Sequence, residues 1–268
     1  DMTSADIQDY IPEDQWPPVS AMLEGFGDQT LPASPALAGT TLSLLNENGA
    51  EAGYVFDDES SLAWTLRRGE VLTSGTAGYK AIEARPGIFI IDFIRGEGPA
   101  AENVTIIADR NTGATTTGVS RFATGDGRTR STTDFSQANT GGSPIRHERS
   151  TALVGKRIYY RYSDVETYEH IYLNAGTFTW NCVRGGEAGL ADTDRCMTWE
   201  VADDLFIFFW TEKVMCVEAV LLVDLREQRS IGRMFGWDDP AGEPVILPFN
   251  SRLSVLNTTE YPQDFQKH

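Results

Sequence analysis

The chain repeats itself, and this constrains its fold more than any other property. Leu37-Ala38-Gly39 returns as Leu153-Val154-Gly155, Trp64 as Trp180, and Arg68-Gly69 as Arg184-Gly185, all about 116 positions apart. Further on, Gly87-Ile88-Phe89-Ile90 aligns with Asp204-Leu205-Phe206-Ile207, and Ile107-Ala108-Asp109-Arg110 with Leu222-Val223-Asp224-Leu225-Arg226. The offset drifts by a residue or so, as it must where loops change length. Two copies of one structural unit of about 115 residues therefore make up most of the 268 residues.

Each copy is a succession of short runs rich in aromatic and β-branched residues, bounded by Gly, Asn and Asp. Examples are Gly87–Ile94, Val104–Ala108, Arg157–Tyr162, Thr167–Leu173, Thr177–Cys182, Leu205–Trp210 and Val217–Val223. The middle of the chain has no long stretch of helical period. A unit of six to eight antiparallel strands has to hide its edges, and closing into a barrel does so completely. The expectation is an all-β protein made of two tandem lipocalin-like (calycin-type) antiparallel barrels, with a double-sheet sandwich as the competing fold. The boundaries expected are an N-terminal segment with a short helix at 1–36, a first barrel at 37–122, a loop or linker at 123–150, a second barrel at 151–238 and a C-terminal extension at 239–268. The N-terminal segment carries Trp16, Met22, Leu23 and Phe26 among its prolines, a pattern suited to packing on something larger.

Composition narrows the function. Apolar types at 41% and charged types at 23% are ordinary globular usage and exclude a disordered chain. The net charge of −17 repels phosphate, so neither nucleic acid nor an anionic membrane is an expected partner. The apolar runs Phe206–Trp210 and Val217–Val223 fall well short of the ~18 residues that cross a bilayer. Cys182, Cys196 and Cys216 form no C-x-x-C pair; reduced thiols and no structural metal are expected. Without a charged-then-apolar leader, the expected location is the cytoplasm. A homo-oligomer stays open.

The chain lacks G-x-S-x-G, G-x-x-x-x-G-K-[ST] and H-E-x-x-H, and its Gly96-Glu97-Gly98 and Gly125-Asp126-Gly127 are not dinucleotide fingerprints. No cofactor is expected. Asp192 and Asp194 read as turn formers rather than metal ligands. Of three histidines, His268 is terminal, His147 falls between the copies, and only His170 lies in an expected strand. Strand alternation groups Tyr168, His170 and Tyr172 on one face. The first copy has Ala52, Tyr54 and Phe56 at those positions, which is the better inward face. Tyr160 and Tyr162 stand where the first copy has Leu44 and Asn46, and Trp180 and Trp210 read as apolar wall. The second copy has thus gained polar groups inside an aromatic surround, the mixture a small-molecule cavity needs. Glu212, opposite Arg95 of the first copy, is either a rim residue or a partner that orients His170. His170 itself is either a general acid or base tuned near neutral pH, or a histidine satisfied by a tyrosine or by Glu212.

Several segments carry a resemblance: Tyr162-Ser-Asp164, Tyr168-Glu-His-Ile-Tyr-Leu-Asn174 and Trp180, then Gly189-Leu-Ala-Asp-Thr-Asp-Arg-Cys196, Phe209-Trp-Thr-Glu-Lys213 and Gly232-Arg-Met-Phe-Gly236. They resemble the C-terminal domain of the molybdenum cofactor biosynthesis protein F (MoaF-like) family. Leu37-Ala-Gly39, Tyr54-Val-Phe56, Leu62-Ala-Trp64 and Tyr79 resemble its N-terminal domain more loosely. The resemblance implies two lipocalin-like domains and supplies no catalytic residues. The functional expectation is a cofactor-independent isomerase, cyclase or lyase that acts by acid–base chemistry on a small, largely apolar or aromatic metabolite in the second barrel. His170, Tyr160 and Glu212 are the catalytic candidates; Tyr162, Tyr168, Tyr172, Trp180 and Trp210 are the ligand-binding ones. The alternative is a small-molecule carrier without chemistry.

Overall fold

In the computed structural model, which describes residues 7–22 and 24–262, the first unit is an eight-stranded meander in chain order. Its strands are β1 (Thr41–Leu45), β2 (Glu51–Phe56), β3 (Ser61–Arg68), β4 (Val71–Arg85), β5 (Ile88–Arg95), β6 (Glu102–Asp109), β7 (Ala114–Gly125) and β8 (Arg128–Asn139). Leu23 and His268 lie outside the described residues. The long strand β4 serves two neighbours: Val71–Gly78 pairs with β3, and Tyr79–Arg85 pairs with β5. The sheet turns a corner there and curls, so that the end of β1 reaches β8 through one backbone bond, Glu47 N–H to the Gln137 carbonyl at 2.9 Å.

The second unit closes. Its strands are β9 (Glu148–Arg149), β10 (Lys156–Arg161), β11 (Thr167–Asn174), β12 (Thr177–Arg184), β13 (Ala191–Ala202), β14 (Leu205–Thr211), β15 (Val217–Asp224), β16 (Arg229–Asp238), β17 (Glu243–Pro248) and β18 (Ser251–Thr258). Strand β18 inserts between β10 and β16, and β12 pairs with β13, which completes a ring of eight strands. A closed ring has no unpaired edge. The fold is all-β, one closed barrel beside one strongly curled sheet, and the internal repeat holds in register: Tyr54 faces Trp64 across β2–β3 as His170 faces Trp180 across β11–β12.

Three expected boundaries change. The stretch expected as a loop at 123–150 contains all of β8 and β9, because its threonines are β-branched and pair by hydrogen bonds, Thr133 with Ser120 at 2.8 Å among them. The expected C-terminal extension at 239–268 supplies β17 and β18, so the second sheet runs on to Thr258. The expected N-terminal helix is two single 3-10 turns, Glu13–Gln15 and Val19–Met22, since Pro12, Pro17 and Pro18 deny a longer helix its hydrogen bonds. That segment packs on the second barrel, not on the first that follows it in sequence. Val19, Met22 and Phe26 are buried in the second barrel's core, and Trp16 meets Trp180 edge-on at 5.9 Å.

Each barrel has its own core, and a third apolar layer joins them. Along β14, Phe206, Phe208 and Trp210 face the barrel interior, while Ile207 and Phe209 face outward onto Ile82, Ile90 and Ile107 of the first unit. Strands buried on both faces explain why β14 and β15 read as unbroken apolar runs. Polar pairs fix the junction. Arg85 donates twice to Asp224, at 3.0 and 2.7 Å, and Arg233 reaches Glu218 at 2.6 Å and Thr105 at 3.0 Å. Gly232 allows the close approach of β16 to β15, because a Cβ there would strike the Val220 carbonyl oxygen. The three cysteines are free, Cys182 and Cys196 being buried. Among the described residues, no helix is long and apolar enough to cross a membrane.

Candidate functional site

The β-pleat stacks the second barrel's interior in tiers. On β11, Tyr168, His170 and Tyr172 point inward, on β12 Phe178, Trp180 and Cys182, and on β14 Phe206, Phe208 and Trp210. His170 is 2% exposed and boxed by rings: Tyr160 at 4.4 Å, Phe178 at 4.9 Å, Trp210 at 5.2 Å and Phe208 at 5.8 Å. Its Nδ1 lies 3.2 Å from the Tyr172 hydroxyl, which in turn lies 2.5 Å from the Tyr160 hydroxyl. Burial lowers the imidazole pKa to about 3, so the ring is neutral across the physiological range. This corrects the expectation of a group tuned near neutral pH: an apolar box disfavours the charged ring, and among the described residues no carboxylate bonds it to offset that.

Glu212 sits one tier above. It follows Trp210 on the same face and accepts the Trp210 indole N–H at 3.2 Å. Of the two roles open to Glu212, the pair with His170 does not form, because the tryptophan lies between them in the stacking order. Around Glu212 gather acidic groups that sequence reasoning passed over. Glu187, 5% exposed in the loop after β12, accepts the Tyr168 hydroxyl at 2.5 Å. Asp194, read from sequence as a turn former, is a buried residue of β13 that accepts the Trp180 indole N–H at 2.9 Å and the Lys213 backbone N–H at 3.0 Å. Burial, and then the charges of Glu187 and Asp194, push the Glu212 carboxyl well above the usual range. Burial, and then Glu166, push Glu187 up as well. Glu166 packs beneath Gly185 (φ 133°), where a Cβ would strike its carboxylate.

The tyrosines divide by role. Tyr160 and Tyr172 spend their hydroxyls on each other, and Tyr168 gives its to Glu187. Tyr162 is fully buried, and its hydroxyl has no partner among the described residues. Phe26 of the N-terminal segment roofs this tier, 5.1 Å from Tyr162 and stacked at 5.1 Å on Phe249. Among the described residues, no three His, Cys, Asp or Glu side chains converge to hold a metal ion. A cavity of about 370 Å³ opens nearby, between the starts of β8 and β13 and the end of β14. It is lined by Asp194 and Glu212 together with Arg128, Arg195 and Lys213, and it does not reach His170.

Residues 14–124 match the MoaF N-terminal domain, and residues 147–259 match the MoaF C-terminal domain. The chain belongs to the MoaF family. A relative, Protein MoaF of Klebsiella aerogenes, is 31% identical over 264 residues, spanning 91% of this chain and 97% of its own. A crystal structure from Burkholderia vietnamiensis described as a "putative beta-lactamase" is 19% identical with a TM-score of 0.33, over 39% of this chain and 95% of its own. The two MoaF domains differ at the end of β5 and its counterpart β14. The N-terminal domain has Arg95 in the slot of Glu212, paired with Glu102 at 3.0 Å and lying 4.9 Å above the Trp64 ring.

Proposed function

We propose that the second barrel acts by proton transfer on a small, largely apolar or aromatic metabolite, without a cofactor, and that Glu212 carries the proton. One observation carries the reading: Glu212, a carboxyl held above its ordinary range, lines a cavity of about 370 Å³ at the end of a closed barrel, and Tyr162, whose hydroxyl has no partner among the described residues, lies in the barrel's aromatic core. A perturbed carboxyl beside an apolar wall is the arrangement general acids and bases require. Tyr162 Oη donates to the oxyanion that develops when a proton leaves carbon next to a carbonyl. Trp180, Trp210 and Tyr168 hold the apolar body of the substrate. Neutral His170 fixes Tyr172, and through it Tyr160, as the floor. The chemistry is isomerisation, cyclisation or elimination.

The second reading is a carrier, favoured by the neutral His170 and the packed aromatic floor. The two separate in deuterated water. Carbonyl compounds with one aromatic or alicyclic ring are first ranked by quenching of tryptophan fluorescence, and the binders are then followed by NMR for deuterium incorporation. Exchange that falls ~10²–10⁴-fold in Glu212→Gln while binding persists supports the enzyme. Binding with no exchange in the unmutated protein establishes the carrier.

A further inference from the structure

The cavity that reaches Glu212 is built by both halves of the chain. Strands β7 and β8 meet in a hairpin whose turn residues, Asp126 (φ 53°) and Gly127 (φ 71°), fold the chain straight back on itself. This arm of the first unit lies on the second barrel: Phe122 stacks on Phe235 at 4.5 Å and meets Trp237 at 5.3 Å. At its tip Arg128 donates to the backbone carbonyls of Lys213 and Val214, directly after Glu212. Arg128, Thr129, Arg130 and Ser131 thereby form one wall of the cavity. The facing wall forms where β13 changes partners, Arg195 pairing with Thr177 of β12 on one side and with Thr211 of β14 on the other.

The charges on these walls do not cancel. Lys213 is set against Asp192 and stands 3.7 Å from Asp194. Arg128 bonds only backbone carbonyls, and Arg195 reaches only the Met197 sulfur, at 3.7 Å. Among the described residues, neither these two nor Arg130 has a carboxylate partner. Three guanidinium groups therefore face two carboxyls, and burial holds both Glu212 and Asp194 toward the neutral form. In a chain with 39 acidic and 22 basic residues, this surplus is a local reversal of sign. A guanidinium stays charged and offers a planar fork of donors that matches a carboxylate. We propose that the metabolite entering this cavity carries one carboxylate, held by Arg130 of the first unit and Arg195 of the second, with its apolar body on Met215 and the Thr193 and Thr211 methyls beside Glu212. The proposal deepens the proton-transfer reading and rests on it for the identity of the site. The volume falls within the ~300–1,000 Å³ of small-molecule sites. A phosphate dianion would carry a second charge toward Asp194, so the monoanion is the better match.

The test is calorimetric titration of the full chain with phenylacetate and 3-phenylpropionate, with phenylacetamide as the neutral isostere and inorganic phosphate as the competing anion. At least one carboxylate is expected to bind saturably, with the amide and phosphate weaker by about tenfold or more. Arg130 and Arg195 are exposed, so Arg130→Gln and Arg195→Gln should keep the parent's thermal midpoint, and each should weaken the carboxylate by about tenfold. Arg226→Gln, an exposed change beyond the far end of β15, should leave the affinity unaltered. The proposal is overturned if neither carboxylate binds, if the amide or phosphate binds as tightly, or if the affinity survives both cavity substitutions. Carboxylate binding without hydrogen exchange would remove the proton-transfer role of Glu212 and leave this proposal standing. Exchange on neutral ketones without carboxylate binding would remove this proposal and leave Glu212 its role.

Discussion

The two barrels place different groups in equivalent slots, and burial treats them alike. Tyr54 of the first barrel is pushed up to about 12, opposed only in part by Arg95, and His170 of the second is pushed down to about 3. An acid raised and a base lowered are both neutral at physiological pH. The slot selects an uncharged polar group, whichever residue fills it. The divergence that matters lies a tier above, where the first barrel's Arg95 has Glu102 and the Trp64 face as partners. Glu212 of the second barrel has Glu187 and Asp194 as neighbours instead, and their charges act against its ionisation. The first mouth is electrostatically settled and the second is not.

The largest effect that could break this comparison is acid unfolding. A folded pKa near 3 against an ordinary value of about 6.5 means that neutral His170 favours the fold above pH 6.5, and that this contribution is lost as pH falls toward 3. The full window is worth roughly 5 kcal/mol. His147, held to about 4 by burial, adds a second acid-labile contribution. Urea unfolding of the parent and of His170→Leu at pH 7.5 and pH 4 should show a markedly flatter pH dependence in the variant; equal slopes would mean the imidazole is not sealed from water.

Next comes the tryptophan pair. Trp180 is buried, bonded to Asp194 and roofed by Trp16, so Trp180→Ala should cost about 3–5 kcal/mol by leaving a cavity. Trp64 is only half-buried beneath Arg95, and Trp64→Ala should cost about 1–2 kcal/mol. Equal losses in chemical denaturation would erase the distinction between a closed barrel and a curled sheet.

The smallest effect is the most diagnostic in sign. A carboxyl whose folded pKa is raised favours the fold below about pH 4.5 and loses that contribution as pH rises through the folded value. Glu212→Gln should therefore stabilise the protein by about 1 kcal/mol at pH 8, with no gain at pH 4. Arg95→Gln should destabilise it by about 1 kcal/mol, because it removes a partly exposed pair and a cation–π contact. Thermal midpoints across pH read both.

The repeat made the fold legible, since Trp64, Trp180 and their flanks survive in both copies at one spacing. It also placed His170 on the inward face by reference to Tyr54. What it missed has physical causes. Strand β8 satisfies its polar side chains by hydrogen bonds, Thr133 with Ser120 at 2.8 Å and Gln137 with Thr116 at 2.7 Å among them, and a polar strand satisfied in this way has the composition of a loop. Glu187 sits in a loop with no counterpart in the repeat, so nothing in sequence brought it beside Tyr168. The depressed His170 titration follows from burial among five rings on four strands, which no local pattern reveals.

The N-terminal segment that roofs the second barrel has a consequence for synthesis. Chain growth from Trp16 to Trp180 separates the roof from its wall by most of the protein, and β18, the last stave, ends only at Thr258. On the ribosome, the first sheet can assemble as soon as β8 has emerged, whereas Phe26 must wait exposed for Phe249. The half bearing the candidate site is thus the last to mature, and its lag leaves apolar side chains open to premature association. A chain released before β18 would carry a finished first unit and an unsealed second one.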